Sequence, residues 1–212
     1  MDFRFPHFNW FVVELLLATH NAHKTREIQE ILETDFAVRD LRACPEISDI
    51  DETGASFKEN ATFKALVVSR TLPGFVAADD SGLEVDALGG APGIYSARYA
   101  GKNATDNEKI NKLLRELARA GAVDDARGAR FHCVVALACN GNLIETFEGI
   151  VEGKIADKPR GNGGFGYDPI FIPKGFKETL GELPIEVKNT ISHRAKAIRR
   201  LALKLRQLES GD

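Results

Sequence analysis

The stretch ARFHCVVALACNGNLIETFEGIVEG, residues 129–153, decides the architecture. Two strand-like runs meet at Asn140-Gly141, the dipeptide best suited to the positive φ angles of a two-residue hairpin turn. Upstream, WFVVELLLA (10–18) reads as a buried strand that breaks at THNAHK. A helix follows, with Ile28, Ile31 and Leu32 at helical spacing. FAVRDL (36–41) is a second strand. Ser56 and Glu59 form a capping box, so a helix is expected from about Phe57 to Arg70. Pro73-Gly74 then turns the chain into a strand over Phe75–Ala78. Thr105 and Glu108 form another capping box, ahead of an apolar stripe of Ile110, Leu113, Leu114, Leu117 and Ala118 that Gly121 ends. Beyond the hairpin lies a glycine-rich loop, RGNGGFGYDPIFIP (160–173). The last helix is expected to start near Ser192, with Ile198, Leu201, Ala202, Leu205 and Leu208 inward and Arg199, Arg200, Lys204 and Arg206 outward. Helices and strands with one hairpin, no repeat and no linker predict an α/β fold with a mixed sheet.

The 212 residues suit one large domain or two closely packed lobes. A net charge of −3 excludes a broad basic footprint for duplex nucleic acid, so phosphate recognition must be local. No apolar run is long enough to cross a membrane. Residues 1–13 are read as an N-terminal extension, because MDFRFPHFNWF lacks the layout of a signal peptide. The three cysteines, Cys44, Cys133 and Cys139, have no metal-binding spacing. If Cys133 and Cys139 share a strand they stand roughly 20 Å apart, beyond disulfide reach. Reduced thiols in a cytoplasmic protein are expected.

Five clusters carry chemistry. FVAADDSGLEVD (75–86) runs four apolar residues into Asp79 and Asp80. The pair either opens a solvated turn or attends a cation. Neighbours on an extended strand face opposite ways, so only one can look into a given cleft unless Ser81-Gly82 bends the chain. Magnesium needs one or two carboxylates beside water and phosphate, so Glu52 with one of these aspartates would suffice. Thr19, Asn21 and Lys24, in the first strand-to-helix turn, suit terminal phosphates and suit a plain helix cap equally well. Asn60 and Lys64 are four apart on one helix face with Phe57, Ala61 and Val68. Lys64 either snorkels from that stripe or serves a site. GNGGFGYD (161–168) combines backbone that can approach a ligand closely with the aromatic face of Phe165. Lys188 and Ser192-His193-Arg194 crowd basic groups at a helix start, where negative charge is favoured, as a site for an anionic or electron-rich ligand would.

In this order, the segments LATHNAHKTREIQ, ETGASFKENATFKA, ADDSGLEVDALGGAPGIYSARYAG, GGFGYDPIF and ISHRAKA closely resemble the inosine/xanthosine triphosphate pyrophosphatase family. They span roughly residues 14 to 200. The resemblance implies Mg2+-dependent hydrolysis of ITP, dITP and XTP to the monophosphate and pyrophosphate. It implies a single two-lobed domain over residues 1–212: an elongated mixed β-sheet with flanking helices, the active site in the cleft between lobes, and a homodimer. It places the first turn (Thr19, His20, Asn21, Ala22, His23, Lys24) and Lys64 on the substrate, chiefly its triphosphate. Glu52 and Asp80 would organise magnesium, with Asp79 in the same carboxylate cluster and Asp80 as general base. Ser81 would contact the substrate. Phe165 would stack on the base beside Gly166, Tyr167 and Asp168, while Lys188, His193 and Arg194 read the purine edge.

One departure stands out. The family's first turn commonly reads Thr-Gly-Asn with another glycine before the lysine. His20 and His23 occupy those places here, so the turn must use ordinary dihedrals. Two rivals remain open: a Maf-like pyrophosphatase preferring dTTP or UTP, and a sensing module that binds nucleotide without cleaving it.

Overall fold

The computed structural model describes residues 13–48 and 50–210. The expected N-terminal extension and the start of the first strand therefore lie almost wholly outside the described residues. Six strands form one sheet: β1 (Val13–Leu17), β2 (Phe36–Asp40), β3 (Phe75–Val85), β4 (Gly128–Cys139), β5 (Asn142–Ile155) and β6 (Phe171–Pro173). Their order is β2-β1-β3-β4-β5-β6. β1 pairs in parallel with β2 and β3, whereas β3 to β6 pair antiparallel. The mixed α/β fold expected from the sequence is present. The β4–β5 hairpin turns at Asn140 (φ 48°) and Gly141 (φ 76°), the left-handed geometry that dipeptide favours.

Five helices flank the sheet: α1 (Ala22–Leu32), α2 (Phe57–Thr71), α3 (Asp106–Arg119), α4 (Ile185–Ile191) and α5 (His193–Ser210). Local chemistry starts three of them. Asn21 Oδ1 accepts the backbone N–H groups of His23 and Lys24, Ser56 caps α2, and Thr105 with Glu108 closes a full capping box on α3. Leu208 faces outward rather than inward, at 38% exposure. It lies in the last turn of α5, beyond Leu205, the last core residue of the helix.

The sheet's two faces separate the core. α2 packs Phe57, Ala61, Ala65 and Val68 against Val76, Ala78, Val134 and Ala136. The opposite face carries two clusters. One joins α1 and α5 to Ala77, Cys133 and Val135; the other joins α3 and the 167–180 segment to Leu83, Val85 and Phe131. Along β3 the face between them holds Asp79 and Ser81. Charge sits where the apolar packing is interrupted.

β3 corrects one expectation. The strand does not end at Ala78: it continues through Asp79, Asp80 and Ser81 to Val85, paired residue by residue with β4. The aspartates are mid-strand residues, 4% exposed each, and no turn solvates them. Gly82 is held extended rather than bent. A Cβ there would meet the Gly93 carbonyl at 2.3 Å and Ser96 Oγ at 2.5 Å, so the chain needs glycine for close packing. Cys133 and Cys139 both lie on β4, unpaired, as the spacing argument requires.

Candidate active site

Alternation along β3 sends the two aspartates apart. Asp79 meets α1 and α5: its Oδ2 lies 3.0 Å from Lys24 Nζ and 3.2 Å from Arg194 Nη2. Asp80 meets α2, where Asn60 Nδ2 donates to its Oδ2 at 2.9 Å. Asn60 is itself oriented by the Gly54 N–H, which bonds its Oδ1 at 2.8 Å. One turn further along α2, Lys64 donates to Glu52 Oε1 at 2.7 Å and to the Asp79 carbonyl oxygen at 2.8 Å. Lys64 does not snorkel. At 7% exposure it is a buried cation between three acids.

These surroundings split the acids electrostatically. Burial alone would raise the pKa of Asp79, but Lys24, Arg194 and Lys64 hold it well below the ordinary carboxylate value. Asp80 goes the other way. Burial raises it and the charge of Glu52 adds to that, outweighing Lys64, Lys24 and the Asn60 bond. Burial likewise opposes ionisation of Glu52, but Lys64, Lys24 and Arg98 bring its pKa below the usual value. One aspartate is thus a fixed counter-ion and its neighbour a carboxylate poised to take a proton.

A second network runs under the cleft. Glu27, buried on α1, accepts from Arg194 at 2.8 Å and stands 3.5 Å from Lys188 Nζ. Arg194 also donates to Ser81 Oγ at 2.8 Å. Lys188, on α4, bonds Asp168 Oδ2 at 2.7 Å. The same oxygen accepts the Phe165 backbone N–H at 2.9 Å, tying the glycine-rich loop to the network. Gly164 (φ 72°) permits this, because a Cβ there would stand 2.0 Å from Asp168 Oδ2. His193 opens α5 with its ring parallel to Phe131, centroids 4.6 Å apart. Burial, then Arg194 and Lys188, push its pKa well below the ordinary value, so the imidazole is neutral. Its Nδ1 is buried and has no hydrogen-bond partner among the described residues. The start of α5 approaches β5 this closely only because residue 149 is glycine: a Cβ would lie 2.0 Å from the His193 carbonyl.

A cleft open to solvent lies between these groups. Asn21, Lys24, Glu52, Asp80, Ser81 and Phe165 line it, together with Gly166, Tyr167, Asp168, His193 and Arg194. Eleven of the expected residues are therefore together. Lys64 and Lys188 stand behind the wall, acting through Glu52 and Asp168. Tyr167 lines the cleft but its hydroxyl is committed to the Ser96 carbonyl at 3.0 Å. Thr19, His20, Ala22 and His23 do not line it. Thr19 Oγ1 accepts the Asn21 N–H at 3.1 Å, shaping the turn instead.

Sequence reasoning missed Glu27, Arg98 and Lys109. Arg98 bonds Glu52 Oε2 at 3.1 Å. Lys109 reaches the cleft from α3 and pairs with Asp106 at 2.6 Å, and Asp106 in turn accepts the Gly166 N–H at 2.7 Å. Glu27 had a visible signal: like Lys64, it is a charge placed beside an apolar helical stripe. Arg98 and Lys109 had none.

Known proteins are similar to this chain over most of its length. A "dITP/XTP pyrophosphatase" of Bacillus subtilis is 48% identical over 190 residues, covering 89% of this chain and 95% of its own. A protein of the same name from Bacillus licheniformis is 46% identical over 195 residues, covering 92% and 98%. Among solved structures, a HAM1 protein from Coxiella burnetii superposes with a TM-score of 0.81 at 43% identity, covering 92% of this chain and all of that one. The Ham1 family model matches residues 15–204, every strand of the sheet but the first two residues of β1. The resemblance first carried by a few short segments holds across the fold, and the chain belongs to the Ham1 family.

Proposed function

We propose that the chain is a nucleoside triphosphate pyrophosphatase that cleaves dITP, XTP and ITP to the monophosphate and pyrophosphate. The observation that carries this reading is one cleft lined by Asn21 and Lys24 at a helix start, by the carboxylates Glu52 and Asp80, and by the aromatic ring of Phe165. The names of the relatives support the same reaction.

The phosphates lie towards Lys24 and Asn21, at the N-terminus of α1, where cation and helix dipole both favour anions. Asp80 accepts a proton from the water that attacks the α-phosphorus. The new O–P bond forms as the α–β bridge breaks, and the electron pair leaves on pyrophosphate. A raised pKa suits that role, because a base works best near the operating pH.

Magnesium belongs to this reading. Among the described residues no group of three or more His, Cys, Asp or Glu side chains encloses an ion. Of the carboxylates lining the cleft, Asp168 is taken by Lys188, which leaves Glu52 and Asp80, two hard carboxylates. That donor set fits an ion shared with substrate phosphates and water, the usual habit of Mg2+. When bound, such an ion would neutralise charge on the phosphates. The residues Glu52 and Asp80 would hold it, and Lys64 and Arg98 fix Glu52 in place.

Base selection falls to the other end. Phe165 offers the stacking face. Lys188 and Arg194 stand over it, and His193 Nδ1 is the polar atom left for the purine edge. A donor aimed at a 6-oxygen rejects a 6-amino group, since an unmatched buried polar pair is costly. The reading also takes the chain as one two-lobed domain acting as a cytoplasmic homodimer. Free thiols support the compartment, and the net charge of −3 supports a small-molecule rather than a nucleic-acid substrate.

The test is pyrophosphate release from ITP, XTP, dITP, GTP, ATP and dTTP, with light scattering for the dimer. Equal kcat/KM for ITP and ATP contradicts the substrate assignment. Preference for dTTP points to a Maf-like enzyme, and binding without release to a sensor.

A further inference from the structure

Leu113 is fully buried on α3, and Lys109 lies one turn before it on the same helical face, so the helix aims a cation inward. The side chain reaches the cleft, whose lining it shares with Lys24, Phe165 and Gly166. Within α3 it pairs with Asp106 Oδ1 at 2.6 Å. The other carboxylate oxygen of Asp106 accepts the Gly166 N–H at 2.7 Å. The glycine-rich loop in turn touches the start of α1, since His23, the residue before Lys24, stacks on Phe165 with ring centroids 5.6 Å apart. Lys109 therefore enters the cleft close to the helix start assigned to the phosphates.

Among the described residues, the permanent cations lining the cleft are Lys24, Lys109 and Arg194. They differ in what they are tied to. Lys24 and Arg194 both neutralise Asp79, whose side chain is 1% exposed, and Arg194 holds the buried Glu27 as well. Pulling either towards a ligand would strand a buried carboxylate. The partner of Lys109 is different: the Asp106 side chain is 45% exposed. Water can solvate it when the ammonium leaves, and exposed pairs of this kind are worth at most about fivefold in an equilibrium. The Gly166 N–H keeps Asp106 in place meanwhile. A lysine on a flexible four-carbon stem can thus exchange a solvated carboxylate for a phosphate at little cost.

We propose that Lys109 is a phosphate-binding residue of the site: on substrate entry its ammonium leaves Asp106 for the phosphate chain, meeting it from α3 while Lys24 meets it from α1. The proposal rests on the triphosphate reading above and adds a second cation to it. The rival role for the same contacts is to anchor the glycine-rich loop through Asp106, and that role gives the two partners of the pair the same effect on binding. Phosphate binding gives them opposite effects.

The test uses the full chain with Lys109→Met, Lys109→Arg and Asp106→Asn, and inorganic tripolyphosphate as a ligand without a base. By calorimetry, Lys109→Met should weaken tripolyphosphate binding about 3- to 30-fold. Lys109→Arg, which keeps the charge, should recover most of that loss. Asp106→Asn retains an oxygen for the Gly166 N–H but releases the ammonium. It should bind tripolyphosphate as tightly as wild type or up to about fivefold more tightly. In turnover of dITP, Lys109→Met should raise KM by the factor seen with tripolyphosphate, with a smaller change in kcat. Unchanged tripolyphosphate affinity in Lys109→Met overturns the proposal, even where KM for dITP rises, because the contact is then to base or sugar. Weakening in Asp106→Asn that matches Lys109→Met overturns it too and makes the pair a loop anchor. Wild-type protein that releases no pyrophosphate from dITP defeats the reading of the activity alone, and the calorimetry still decides Lys109.

Discussion

Asp79 and Asp80 are consecutive residues that never share a partner side chain by hydrogen bond. Asp79 accepts from Arg194, and Asp80 accepts from Asn60 on the other face of the sheet. Lys64 bridges them, bonding the main-chain carbonyl of Asp79 while its charge acts on Asp80, and Ser81 gives its N–H to Asp80 and its hydroxyl to Asp79. The strand itself thus acts as an insulator, keeping two carboxylates of opposite pKa shift on separate sides.

Asp80→Asn should lower kcat about 10²–10⁴-fold and leave nucleotide binding largely intact. The same change should raise the thermal midpoint at pH 7 in metal-free buffer. The folded pKa of Asp80 lies above its unfolded value, so the stability tied to its protonated form is present in acid and lost as pH rises through that pKa. A neutral amide avoids the loss, and the gap between variant and wild type should close towards pH 4. Scanning fluorimetry across pH and steady-state turnover give the two readings; wild-type turnover removes Asp80 as the base.

Asp79→Asn should do the reverse to stability. Its folded pKa is depressed, so its contribution is present above the unfolded value of about 3.8 and fades as pH falls through the folded pKa. Breaking a buried pair costs about 3–5 kcal/mol. Urea unfolding at pH 7 should show a deficit of that order, shrinking below pH 4. An equal deficit at both pH values would contradict the charge argument.

Lys64→Met keeps the stem and removes the ammonium. Losing a charge-assisted hydrogen bond of ~1.5–3 kcal/mol should reduce kcat/KM for dITP about 10- to 100-fold. Glu52 then retains only Arg98 and the charge of Lys24 and should titrate at a higher pH, visible by carboxyl-labelled NMR. No change in either measurement would return Lys64 to a packing role.

Gly149→Ala tests how the last helix is seated. A methyl 2.0 Å from the His193 carbonyl forces α5 off β5. Overpacking of this kind costs ~1–3 kcal/mol, and an error of about 1 Å in His193 and Arg194 should cost up to ~10²-fold in kcat/KM. Urea melts with kinetics on the folded fraction separate the two effects. Full specific activity would show that the seat does not set the site.

Much of this was legible in the sequence where the cause is local. The Asn140-Gly141 turn and the caps at Ser56 and Thr105 depend on residues within a few positions of one another, and the structure has all three. The strand through Asp79 was read short because two carboxylates look like a place where burial ends. Lys24, Arg194 and Asn60, which make that burial tolerable, come from positions 20 to 115 residues away. The seven residues of α4 were missed as a helix, though Lys188 on it was singled out. A short helix behind Pro184 has too few turns to display a stripe. Arg98 acts through a contact 46 residues distant, and no pattern around it announces that.

The placement of His193 and Arg194 at the start of α5 has a consequence for synthesis. β3 and the turn before α1 leave the ribosome first, but their buried counter-ion arrives more than a hundred residues later. Until it does, Asp79 and Glu27 lack the guanidinium that makes their burial affordable, and the apolar face of α5 is absent from the sheet. A chain released before Arg194 is made therefore has to solvate both carboxylates or leave them buried without that counter-ion.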